Sequence, residues 1–280
     1  MDSTLTLLRQ SALDFAGQVG ALLGGLTLLA VLLHLVERRV SRRLSHRFGW
    51  RSVLVTGWLG VPLHELSHLL MCKVFRHRIV AFSLFDPDPR TGTLGYVQHA
   101  YRRRNLFQLA GNFFIGIAPL LGGSLILLLA LWFLLPTARP AWGAAPAADV
   151  TSQWLHTAQM AGDTLQRIFT VAHLGSWQFW VFLLLSLCVG THLSPSRPDL
   201  EGAWPGLLLL LFGLFAVAVV NRAFDLWPPH HWALLAAAFL SPLLAALAVA
   251  LAMEVLFWGV VELVVHLTTP RRGVSLGYES

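Results

Sequence analysis

Residues 61–71 read VPLHELSHLLM, two histidines and a glutamate set into an otherwise apolar run. The run extends over 52–75, and about 20 mostly apolar residues suffice for a helix to cross a membrane. Ionisable side chains at that depth cost about 3 kcal/mol each unless something satisfies them. A helix that carries His64, Glu65 and His68 together is therefore expected to turn them inward, onto a polar centre.

The rest of the chain supports a membrane setting. Of its 280 residues, 56% are hydrophobic and only 12% are charged, whereas about a quarter of a soluble domain is charged. The mean hydropathy is +0.64. The expectation is an all-α polytopic membrane protein, one membrane domain over 1–280, lying in the lipid bilayer. Apolar segments at 17–36, 52–75, 106–135, 177–191, 206–220 and 232–267 predict about six transmembrane helices. The last is too long for one straight crossing, and Pro242 is a natural place for a kink.

Two stretches depart from that pattern. Residues 78–101, RIVAFSLFDPDPRTGTLGYVQHAY, hold two β-prone runs around a Pro/Asp/Gly cluster and predict a hairpin with its turn near 86–92. Open sheet edges are not tolerated in lipid, so this hairpin must pack on protein or line a wet cleft. Residues 136–175 form an extramembrane linker that opens with PTARPAWGAAPAAD. Within it Trp154, Ala158, Ala161, Leu165, Ile168 and Ala172 follow helical spacing. That helix either lies on the membrane surface or packs on the bundle.

The net charge is +6 and the isoelectric point about 10.3. The basic residues flank apolar segments, which fits topology and anionic headgroups and argues against nucleic acid. Seven basic residues lie between Lys73 and Arg104, against Arg139 and Arg167 in 136–175. With Arg271 and Arg272, they put 73–105 and the tail on the cytoplasmic side. Six spans would strand the arginines from Arg38 to Arg51 opposite, unless one of the first two segments does not cross. Cys72 and Cys188 sit in apolar segments and read as small buried residues rather than a disulfide framework. The N-terminal stretch lacks the basic region and small-residue cleavage site of a signal peptide.

His64 and His68 are four residues apart, so a helix sets them on one face. Two neutral imidazoles at that spacing can bind one zinc ion, with Glu65 placed to activate water. A catalytic zinc takes three protein ligands and leaves a fourth position open, and the pKa of its water falls to about 7. The best source of a third ligand is THLSPSRPDLEGAWPG, where prolines interrupt the helix and can turn Asp199 inward; otherwise Asp199 is an ordinary loop aspartate on the surface.

HELSH in a membrane helix, a following β-hairpin and a later HLSPSRPD together resemble the site-two protease family of intramembrane zinc metalloproteases. The resemblance covers about residues 52–205, the expected catalytic core. It implies His64, His68 and Asp199 as ligands of one Zn2+ ion and Glu65 as the general base. LAGNFFIGIAPLLGG resembles the family's glycine-containing helix beside the zinc helix. There Gly111, Gly116, Gly122 and Gly123 would permit close approach, and Asn112 would donate to a substrate carbonyl or oxyanion, or to a neighbouring helix. The chain departs from the family pattern at three points. His192 stands in place of an asparagine and is the reserve metal ligand, or else a helix-end histidine capping carbonyls; Asp199 follows Pro195 one residue sooner, and Leu200 replaces a glycine.

The implied activity is hydrolysis of a peptide bond in or near a transmembrane segment of a membrane-protein substrate, in a bacterial inner membrane. Alternatives are a non-catalytic zinc-binding membrane scaffold or regulator, and a membrane metal-dependent hydroxylase. The hydroxylase needs several histidine boxes, and HELSH has no such companions.

Overall fold

The computed structural model describes residues 2–140, 147–228 and 230–268. Arg271 and Arg272 lie outside them. Helix α1 (Asp2–Val19) passes through a π-turn at Gly20–Gly24 into α2 (Gly25–Phe48). A 3₁₀ turn leads into α3 (Leu54–Val74), then strands β1 (Arg78–Ser83) and β2 (Tyr96–Ala100). Helices α4 (Leu106–Gly116), α5 (Ala118–Leu134), α6 (Val150–Ile168), α7 (Val171–Leu174), α8 (Trp177–Gly190), α9 (Arg197–Phe224) and α10 (His231–Thr268) follow.

By length and composition, three helical runs can cross a membrane: Thr4–Phe48, Arg197–Phe224 and His231–Leu267. Helices α4 and α5, bent by 59°, make a fourth if taken as one span. The expected count of six is thus met only in part. Helix α8 has 14 residues, about 21 Å of rise, and falls short of a hydrocarbon core of about 30 Å. Helix α10 runs unbroken through Pro242 for 38 residues.

Helices α2 and α10 run parallel. Ala21 clusters with Ala233 and Ala237 near their starts, and Arg43 Nε lies 2.6 Å from Glu262 Oε1 near their ends. The arginine-rich end of α2 therefore shares one end of the bundle with the C-terminal end of α10. The core lies between α2, α4, α5, α8 and α10, around Leu33, Leu120, Leu127, Leu193 and Leu247. Helix α6 packs on α10, so the packed alternative holds for this segment. Its buried face is more polar than its apolar spacing suggests: Gln153 Nε2 donates to Ser241 Oγ at 2.9 Å, beside Thr157.

The hairpin forms where the alternation places it. β1 and β2 pair antiparallel, with Ile79 opposite His99 and Phe82 opposite Val97, and a bulge between Ile79 and Ala81. Its tip is held by Asp88, whose Oδ1 accepts from Arg90 N at 2.9 Å. Gly92 there has φ +74°, a conformation only glycine adopts without strain. Both strands pack on α3, and Phe75 at the end of that helix stacks between Phe107 and Phe114 of α4.

Helices α4 and α9 meet backbone to backbone. A Cβ at Gly206 would lie 2.6 Å from Phe113 N and 2.7 Å from Leu109 O, and one at Gly116 would lie 2.6 Å from Asp199 O. Small residues admit this approach, which apolar lipid by itself does not drive. Gly206→Val should force the two helices apart at a cost of about 1–3 kcal/mol. The expected result is a lower Tm in detergent micelles together with weakened metal binding. Gly213→Ala, which meets nothing within 4 Å, should leave both unchanged.

Candidate metal centre

His64 and His68 lie on the same face of α3, with side chains 13% and 6% exposed. Each ring is fixed by a backbone carbonyl that a proline leaves free. Ile115 sits four residues before Pro119, which has no N–H to occupy that carbonyl, and Ile115 O instead accepts from His68 Nδ1 at 2.8 Å. The chain after α8 cannot continue as helix because Pro195 pushes the residue before it into extended backbone. His192 O is thereby left to accept from His64 Nδ1 at 2.6 Å. Both rings thus carry their proton on Nδ1 and turn a bare Nε2 toward the same point, an arrangement typical of metal-ligating imidazoles.

Asp199 reaches that point from the first turn of α9. It occupies the third position of a capping box whose N-cap is Ser196. Ser196 N and Oγ donate to Asp199 Oδ2 at 2.7 and 2.6 Å, and Asp199 N donates back to Ser196 Oγ. Two donors on one oxygen hold the carboxylate still and leave Oδ1 facing His68 Nε2 at 3.3 Å. The box satisfies the helix start and aims the ligand at once.

The donor set fits a metal ion. The two Nε2 atoms are 3.2 Å apart, and Asp199 Oδ2 lies 3.8 Å from His64 Nε2. Donors at about 2.0–2.1 Å from a tetrahedral zinc stand about 3.3 Å from one another. With the protons on Nδ1, two lone pairs face each other beside a carboxylate, a contact that a bound metal ion or a further proton relieves. Among the described residues, His64, His68 and Asp199 are one group of three ligating side chains able to share an ion, all within 4.8 Å of one another.

The other expected site residues fall around this triad. Glu65 is buried at 8% exposure, next in sequence to His64, and the hairpin covers it: a Cβ at Gly95 would lie 2.9 Å from Glu65 Cγ. Asn112 is 3% exposed and its Nδ2 has no partner among the described residues, so it makes no bond to any of them through that atom. It lines a cavity of about 100 Å³ together with His68, Asp199, Val97 and His99. His192, the reserve ligand, is not in the group of His64, His68 and Asp199; its Nε2 lies 3.3 Å from Thr56 Oγ1, and its carbonyl orients His64. Cys72 is buried and free, as expected of a small core residue.

Sequence reasoning missed the carbonyls of Ile115 and His192, the clamp by Ser196 and the pair His77–His99. Pro119 and the S-x-x-D spacing at 196–199 were the available signals for the first three. His77 is 6% exposed and its Nδ1 lies 3.0 Å from His99 Nδ1. Its Nε2 lies 2.8 Å from Gln108 O, and Tyr101 stacks on its ring.

Burial pushes the pKa of His77 down, opposed by its bond to Gln108 O, and takes that of His99 down to about 4, aided by His77 and His68. The fold thus favours neutral rings, and the unfolded hairpin binds more protons. The stabilisation is complete above about pH 6.5, the free imidazole value, and is lost as pH falls through the folded value near 4. Hydrogen-exchange protection of the β1 and β2 amides should therefore drop between pH 7 and pH 4.5; equal protection factors would contradict this. No family model, curated protein or solved structure matches the chain.

Proposed function

We propose that this membrane protein is an intramembrane zinc metallopeptidase of the site-two protease kind, acting on membrane-protein substrates in a bacterial inner membrane. The observation that carries the reading is the convergence of two Nδ1-protonated histidines and a clamped aspartate, with Glu65 in the next position of the same helix. A structural metal site needs no such carboxylate, and a membrane interior exacts a cost for every unneeded one.

His64, His68 and Asp199 would hold a zinc ion, which when bound would supply an acidified water and an electrophile for the scissile carbonyl. The remaining work falls to the chain. Glu65 takes the proton of the attacking water and returns it to the leaving amine. Asn112 donates from its buried, unpartnered Nδ2 to the carbonyl oxygen as charge develops there. The Nδ1–H bonds to Ile115 O and His192 O keep both imidazoles in one tautomer and orientation. A helical substrate has its carbonyls already bonded, so it must unwind before attack, and the hairpin offers an edge strand to hold the unwound segment.

Glu65→Gln separates this reading from a zinc-binding scaffold or regulator. General base removal costs about 10²–10⁴-fold in rate, so cleavage should fall by that much while one zinc per chain is retained. Fragments of membrane proteins that accumulate with wild type and not with Glu65→Gln, found by proteomics of cell membranes, would identify the substrates. Identical fragment profiles with equal zinc content would leave the scaffold. A second substitution probes the strand: proline at Ala81, or at Val80 beside it, should impair cleavage and spare the zinc, and unchanged cleavage would remove β-augmentation from the account.

A further inference from the structure

Resting on the metallopeptidase reading, we infer that His99 is a substrate-binding residue, a neutral acceptor that takes one backbone N–H of an extended peptide while Asn112 serves a carbonyl. His77 Nε2 lies 2.8 Å from Gln108 O, and a carbonyl can only accept. His77 therefore carries its proton on Nε2 and presents a bare Nδ1. His99 Nδ1, 3.0 Å away, must be the donor to it, which leaves His99 Nε2 without a proton.

That ring lines the cavity of about 100 Å³ shared with His68, Asp199 and Asn112. One wall, on β2, thus carries His99 with its acceptor, and the other, on α4, carries Asn112, whose Nδ2 has no partner among the described residues. A peptide backbone in extended form supplies the matching N–H and carbonyl. A helical segment cannot, since its own turns consume them. Val97, two residues before His99 on the same face of β2, adds an apolar contact in the same cavity.

The orientation of His99 depends on a chain of fixed groups. His77 is held by Gln108 O and by the stack on Tyr101. Gln108 itself ties the hairpin ends together: its Nε2 donates to Arg76 O at 2.7 Å and its Oε1 accepts from Arg102 N at 2.7 Å. His77 is thus a positioning residue and His99 the group that touches substrate.

The test uses two probes on zinc-loaded full-length protein in detergent micelles, with Kd measured by calorimetry. Acetohydroxamic acid offers a metal-binding group alone; an N-acyl-leucyl hydroxamate adds one peptide unit. His99→Ala should weaken the leucyl probe about ten-fold, the worth of a hydrogen bond in a closed site. Acetohydroxamic acid and zinc content should be unchanged, and His99→Gln, which keeps an acceptor, should recover part of the loss. In 15N-histidine spectra, the resonance lost in His99→Gln should be that of an unprotonated Nε2, and His77→Phe should abolish that fixed tautomer. Equal weakening of both probes, or loss of zinc, would make His99 a metal-site or structural residue and overturn the proposal. If neither probe binds wild type, the metallopeptidase reading itself fails and this inference fails with it.

Discussion

The centre depends on two backbone carbonyls that have lost their helical partners. In apolar surroundings an unsatisfied carbonyl is costly, so Ile115 O and His192 O must accept from somewhere, and the Nδ1–H groups of His68 and His64 answer that need. The exchange fixes both rings with their Nε2 lone pairs converging. Pro119 and Pro195, which break the helices, are therefore as much a part of the site as the histidines. Breaks of this kind persist at membrane depth only where they are buried in protein or line a cavity, and here they do both.

The same economy governs Asp199. A helix start needs donors and acceptors for its first turn, and the Ser196–Asp199 box supplies them while leaving one carboxylate oxygen for the metal. The close contact of α9 with α4 through Gly206 and Gly116 then sets the depth at which that oxygen stands. The hairpin closes the centre from a third side. Gly95 lies against Glu65, and Val97 and His99 face the cavity beside His68. α3, the hairpin and α4, which follow one another in sequence, thus meet the distant α9 at one centre.

The helix spacing of His64 and His68 and the hairpin with its turn were legible in the sequence, because each rests on a local rule: a period of four and a Pro/Asp/Gly cluster. The proline-interrupted helix end only allowed the inward turn of Asp199, which the family resemblance implied. The number of crossings was not legible. Apolar runs at 52–75 and 177–191 read as spans, but α3, interrupted by His64, Glu65 and His68, is not among the helices long and apolar enough to cross, and α8 has only 14 residues. The polar inner face of α6 escaped notice because Gln153 and Thr157 share a partner in Ser241, which stands 88 and 84 residues away. The tautomer chain through His77 and His99 was invisible for the same reason, since it depends on the register of β1 and β2 and on Gln108.

X-ray absorption at the zinc edge of the purified, zinc-loaded protein tests the central claim most directly. The account predicts two imidazole nitrogens and light oxygen donors at about 2.0–2.1 Å, with no sulfur, and loss of one oxygen contribution in Asp199→Ala. A shell with sulfur at about 2.3 Å, a third imidazole, or a spectrum unchanged by Asp199→Ala would contradict it.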